Sequence, residues 1–177
     1  MVALDFEIIR KVLVARETNR LLQEEVATLR DSGAEIATFQ DMLMFVRSSD
    51  PVVPARFARA LAQDRMMYED FRALLSDMAV GFVPAAAAAS SGELDQRTAG
   101  PFSIEIIPSR QGSGQVYLVI KMPFDTAHVS TMTVLTEDRV ERTALSTPVD
   151  GVVQMILEQD DPLVAILRNP RSEIAFR

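Results

Sequence analysis

The sequence predicts an α+β protein: an N-terminal helical hairpin or small bundle with a coiled-coil-like first helix, then a small, mostly antiparallel β-sheet unit carrying one helix. Three observations predict it. Alternating steps of four and three residues from Ile8 pick out Ile8, Val12, Ala15, Asn19, Leu22, Val26 and Leu29, all apolar except Asn19. The same steps from Phe57 pick out Phe57, Leu61, Asp64, Tyr68, Phe71, Leu75, Met78 and Phe82, all apolar or aromatic except Asp64. From Phe102 onward the apolar residues recur every second position, which is the period of a strand.

The first helix is expected over residues 4–30. Its register puts Ile8, Ala15, Leu22 and Leu29 at d and Val12, Asn19 and Val26 at a. β-branched residues at a with leucine at d favour two parallel strands, and a buried asparagine at a fixes register. Glu25 and Arg30 suit an interchain pair, whereas Lys11 and Arg16 would repel. Ile9, Leu13 and Leu21 lie off the seam and widen the apolar face, as in a helix packed within its own subunit. The seven seam residues are the expected oligomer interface.

Asp31-Ser32-Gly33 ends that helix, and Ser32 with Glu35 forms a capping box for a second one. Ile36, Phe39, Leu43 and Val46 give the second helix an apolar side up to Ser48-Ser49-Asp50. Asp50-Pro51 and Pro54 read as a break and a restart, because proline is tolerated in a helix's first turn only. A third helix is expected over residues 54–80, with Gly81 as its stop. Two long stripes present more apolar surface than one short helix can cover, so a second subunit is expected.

Residues 83–101 are rich in alanine, serine, glycine and proline and read as a linker between a helical unit, 1–82, and a sheet-rich unit, 102–177. Strands are expected over 102–108 and 115–123, joined by the Ser109–Gly114 loop, and over 130–136 and 139–145, paired around Glu137-Asp138. Thr147-Pro148-Val149-Asp150 suggests a short helix over 149–159, with Val149, Val152, Val153, Ile156 and Leu157 inward. Glu158, Asp160 and Asp161 oppose it, since negative charge is disfavoured at a helix C-terminus. A strand turning at Asp160-Asp161-Pro162 is the alternative. Residues 162–168 and 172–177 read as further strands.

Composition narrows the function. Of 177 residues, 48% are hydrophobic, enough for a packed core. There is no cysteine, which removes disulfides, thiolate metal sites and cysteine nucleophiles and fits a reducing compartment. The net charge of −7 argues against nucleic-acid binding. The acidic excess is shared, with 13 acids and 10 bases in residues 1–82 and 12 and 8 in residues 83–177, so there is no polybasic membrane patch. Asp5 and Glu7 interrupt the apolar N-terminus, which therefore does not read as a secretory signal. No run reaches the ~20 apolar residues of a membrane span. A cytoplasmic location is expected.

Candidate chemistry is sparse. His128 is the only histidine, with Asp125 its one near acidic neighbour in sequence. Gly112-Ser113-Gly114 lacks the following lysine or helix start that would hold a phosphate. Glu158, Asp160 and Asp161 lack the alternating spacing of a calcium loop. Phe57, Tyr68 and Phe71 at helical spacing suit a core better than a ligand cleft. The expectation is a non-enzymatic oligomerising structural, adaptor or assembly protein, with no catalytic residue, cofactor or metal. Its expected partners are copies of itself, a dimer first, or another protein. The alternative is a regulatory module that binds a small ligand and signals through its helices.

Overall fold

The computed structural model describes residues 37–86, 92–109, 114–126 and 128–177. The expected first helix, its seam and the start of the second helix lie outside the described residues. Phe39–Arg177 forms one compact unit. It contains helices α1 (Phe39–Arg47), α2 (Ala55–Gln63), α3 (Arg65–Met78) and α4 (Pro162–Arg168). Its strands are β1 (Gly81–Val83), β2 (Gln96–Ala99), β3 (Phe102–Pro108), β4 (Gln115–Lys121), β5 (Thr131–Leu135), β6 (Val140–Ala144), β7 (Val152–Glu158) and β8 (Glu173–Phe176). The α+β class holds, with two antiparallel four-stranded sheets in place of one small one: β1-β8-β5-β6 and β2-β3-β4-β7.

The sheets face each other across the main core. Ile104, Ile106, Val116, Leu118, Ile120 and Val153 from one sheet meet Met132, Val134, Ile174 and Phe176 from the other. Phe102 of β3 stacks on Phe176 of β8, with ring centroids 5.4 Å apart. Helix α4 adds Val164, Ile166 and Leu167 to this core. The opposite face of the β1-β8-β5-β6 sheet is covered by the helices: Val46, Leu75 and Ala79 meet Thr133, Arg142 and Ala175 there. Every residue of β5 is buried, as a strand covered on both faces requires.

The helical layer has its own small core. Phe45, Phe57 and Phe71, one from each of α1, α2 and α3, pack with centroids 4.9, 5.0 and 5.7 Å apart. Edge-to-face and tilted rings at this spacing are favoured by the aromatic quadrupole. On α1 the buried side is Met42, Phe45 and Val46, so Phe39 and Leu43 are less covered than the sequence suggested.

Four expectations are corrected. The helix expected over 54–80 is two helices. Asp64, the one polar residue in its stripe, has extended backbone and caps α3 by accepting from the N–H groups of Met66 and Met67 at 2.9 and 3.1 Å. The 83–101 stretch is not all linker: β1 ends in it and β2 lies within it.

The helix leaned to over 149–159 is instead strand β7, which pairs with β4 along its whole length, from Lys121↔Val152 to Gln115↔Glu158. Asp150 and Gly151 have φ of 51° and 73°, the positive values a tight two-residue hairpin turn demands. Val149 and Val152 exchange hydrogen bonds across that turn, each 2.9 Å. The acids at the end of this segment are thus spared an unfavourable helix dipole.

Residues 162–168, read as a strand, form helix α4. Asp161 caps it, its carboxylate accepting from the Leu163 N–H at 2.8 Å, and Pro162 occupies the first turn.

Candidate interaction surface

The seven residues expected at an oligomer interface, Ile8, Val12, Ala15, Asn19, Leu22, Val26 and Leu29, lie outside the described residues. A different candidate surface emerges on the β2-β3-β4-β7 sheet, which has one face on the core and exposed apolar side chains on the other. Register fixes what points outward. Ile107 of β3 pairs with Tyr117 of β4, and Tyr117 pairs with Ile156 of β7. Side chains directly opposite each other share a face, so these three form an apolar row across three strands. They are 45, 40 and 62% exposed.

Polar residues flank that row. Gln115 donates to Glu158 across β4 and β7 at 3.0 Å. One step the other way, Glu105, Val119 and Gln154 are aligned, and Lys121 pairs with Glu105 at 2.9 Å. At the far end of the face lies Val149, 72% exposed, bridged to Val152. Phe124, 82% exposed, lies beside the same turn: a Cβ on Gly151 would sit 3.8 Å from its ring. An apolar row rimmed by polar side chains is the composition of a protein contact surface.

Strand β7 is the edge of this sheet. The Val149–Val152 bonds fix the direction of its backbone groups. Because Val152 bonds away from β4, so must Gln154, Ile156 and Glu158, which alternate with it. The bond from the Gln159 N–H to the Gly114 carbonyl, 2.7 Å, confirms that odd-numbered residues face β4. Among the described residues, the outward backbone groups of Gln154 and Ile156 have no hydrogen-bond partner.

The remaining polar groups of interest serve the fold. Arg142 of β6 is buried and reaches the C-terminal end of α1. Its Nη1 donates to the carbonyls of Phe45 at 2.7 Å and Ser48 at 3.1 Å, and its Nε to Thr133 Oγ1 at 3.0 Å. Burial pushes this guanidinium down to about 10, with Arg177 nearby adding to the effect. Arg97 of β2 is also buried; it donates to Ser172 Oγ and the Ser172 carbonyl at 2.6 Å each and to the Pro84 carbonyl at 2.8 Å. Burial lowers its pKa as well. Both satisfy the ends of helices or loops that lack ladder partners.

Arg72 of α3 grips buried Glu173 of β8 with Nε and Nη2 at 2.6 and 2.8 Å. That hydrogen-bonded carboxylate raises the Arg72 pKa. Desolvation, reinforced by Glu173, raises the neighbouring Tyr68 hydroxyl to about 12.

His128 and Asp125 are both exposed, and Asp161 is engaged as the α4 cap. Among the described residues, no group of three or more His, Asp or Glu side chains is placed to hold a metal ion. Phe57 and Phe71 belong to the core of the helical layer. A groove of about 210 Å³ between α1 and α2 is lined by Met44, Phe45, Val52, Pro54 and Phe57 and crossed by the Arg56–Asp41 ion pair. It is smaller than the ~300 Å³ at which small-molecule pockets begin. No described helix is long and apolar enough to cross a membrane.

Sequence reasoning missed the row because it assigned no outward face to the strands at 102–108 and 115–123 and leaned to a helix over 149–159 with Ile156 inward. Ile107 stands beside Ile106 in FSIEIIP, and Ile156 beside Met155 in VVQMILE. The doubled apolar residues are the available signal, since a strand with one solvated face should carry only one set. Comparison with protein-family models, with curated proteins and with solved structures finds no match.

Proposed function

We propose that this chain is a non-enzymatic oligomerising protein, a structural subunit, adaptor or assembly factor that works through protein–protein contacts in the cytoplasm. The observation that carries the reading is the Ile107–Tyr117–Ile156 row on the outward sheet face. Solvating three large apolar side chains side by side is unfavourable, and burying them in a contact returns ~25 cal/mol per Å². The heptad stripe from Ile8 to Leu29 supports the same reading from the sequence. It also supports a coiled-coil-like first helix as a further site of association, with Asn19 setting register.

Sedimentation of the full chain at micromolar concentrations tests the reading. An oligomer is expected, and a strictly monomeric particle would contradict it. Within an oligomer joined by the heptad seam, Asn19→Val should raise the melting temperature while broadening the distribution of oligomeric states.

A further inference from the structure

We infer that two copies of this chain join edge to edge through β7, antiparallel about a two-fold axis, with Ile156 opposite Ile156 of the second copy. The inference rests on the protein-contact reading and names the partner as a second copy. Four observations carry it.

The first is the edge itself. Strand β7 runs for seven residues, VVQMILE, with no proline and a single charged residue, Glu158, at its last position. Proteins ordinarily blunt such edges with charges, prolines or short strands. The other edges here are blunted: β1 has three residues, β2 has four including Arg97, and β6 carries Glu141 and Arg142. The second is the set of outward backbone groups on Gln154 and Ile156, which have no hydrogen-bond partner among the described residues. An antiparallel edge is self-complementary under a two-fold axis, so a second copy supplies the matching donors and acceptors.

The third is the side-chain pattern, which selects the register. With Ile156 opposite its own copy, Gln154 stands opposite Glu158. The carboxylate then meets an amide that can donate to it, and no like charges face each other. The Ile107–Tyr117–Ile156 row becomes continuous with its copy across six strands. Slipping by one pairing step, to Met155 opposite Met155, sets Gln154 against Ile156 and loses both matches.

The fourth is the state of the inward face at this edge. Met155 and Leu157 point toward the core but are only half-buried. Their partners on β4, Leu118 and Val116, are fully buried. A second copy adds a flanking strand that covers them.

The absence of cysteine gives a register-specific test on the full chain. Directly opposed residues in a hydrogen-bonded antiparallel pair have Cα atoms about 5.5 Å apart, within the usual span of a disulfide. Ile156→Cys should form a covalent dimer under mild oxidation, while equally accessible Gln154→Cys stays monomeric on a non-reducing gel. Ile156→Pro removes an outward N–H and the isoleucine side chain while leaving the bonds to β4 intact, a change tolerated at a strand edge. It should halve the sedimenting mass with an unchanged circular dichroism spectrum.

Cross-linking at Met155→Cys in place of Ile156→Cys would overturn the register. An oligomer unmoved by Ile156→Pro and not trapped by Ile156→Cys would overturn the β7 interface and leave the protein-contact reading standing. A monomeric wild-type chain would overturn both.

Discussion

The guanidinium carbon of Arg142 lies 3.5 Å from the centre of the Phe45 ring, while its Nη1 donates to the carbonyl of that same residue at 2.7 Å. One side chain of β6 thus holds both the aromatic side chain and the C-terminal backbone of α1. The fit of cation to ring and to carbonyl offsets part of the cost of burying the charge.

Arg142→Ala should therefore lower stability by about 2 kcal/mol, since a hydrogen bond to a charged group is worth about 1.5–3 kcal/mol and carbonyls are left unpaired. Arg142→Lys keeps the charge but not the planar fork, and should recover less than half of the loss. Urea midpoints at constant m-value measure both. A midpoint unchanged by Arg142→Ala would mean that α1 is held by its apolar side alone.

Arg72 and Glu173 join α3 to β8 in the same way. Arg72→Met alone strands a carboxylate that is 5% exposed. Arg72→Met with Glu173→Leu removes the burden along with the pair. The double variant should be more stable than the single one, by about 1 kcal/mol given the partial exposure of Arg72. A double-mutant cycle by chemical denaturation decides it; simple additivity would show the pair to be uncoupled.

Tyr68 gives a pH dependence. Its folded pKa is raised from 10.0 to about 12, so the folded state holds its proton more tightly than the unfolded chain. The resulting stabilisation is fully present below pH 10 and is lost as pH rises from about 10 to 12. The stability difference between wild type and Tyr68→Phe should shrink across that window, as followed by thermal melting. A difference that stays flat would place the hydroxyl in ordinary solvent.

Asp64 separates α2 from α3. Asp64→Ala removes both bonds to the α3 N-terminus and should cost about 1 kcal/mol, whereas Asp64→Asn, which still accepts, should cost little. Thermal denaturation of the two variants distinguishes capping from mere charge. Equal losses would point to the charge acting on the helix dipole.

How far the sequence revealed this fold depends on what each segment had to signal. The strands at 102–108 and 131–135 and the breaks at Gly81 and Pro54 follow from local pattern alone. The stripe from Phe57 marked Phe57, Leu61, Phe71 and Leu75 as buried but missed Met67 and included the half-buried Tyr68, Met78 and Phe82; its polar member, Asp64, was itself the sign of a cap. VVQMILE fits a helix and a strand equally by periodicity, and only its pairing with β4 decides. PLVAILR reads as a buried strand by its apolar run, although Asp161-Pro162 before it carried the start signal of a helix. Strands β1 and β2 are too short for any periodicity.

Of the candidate surface, Ile107, Tyr117 and Ile156 come from three strands and meet only through register, which no single segment encodes. Arg97 and Arg142 look like surface charges in the sequence, because the carbonyls that bring them inside belong to distant segments.

The most direct test of the account is the mass of the full wild-type chain by sedimentation equilibrium, measured beside Ile156→Pro. The account expects an oligomer for the wild type and a folded particle of half that mass for the variant. Wild-type protein that sediments as a monomer at micromolar concentration would contradict it.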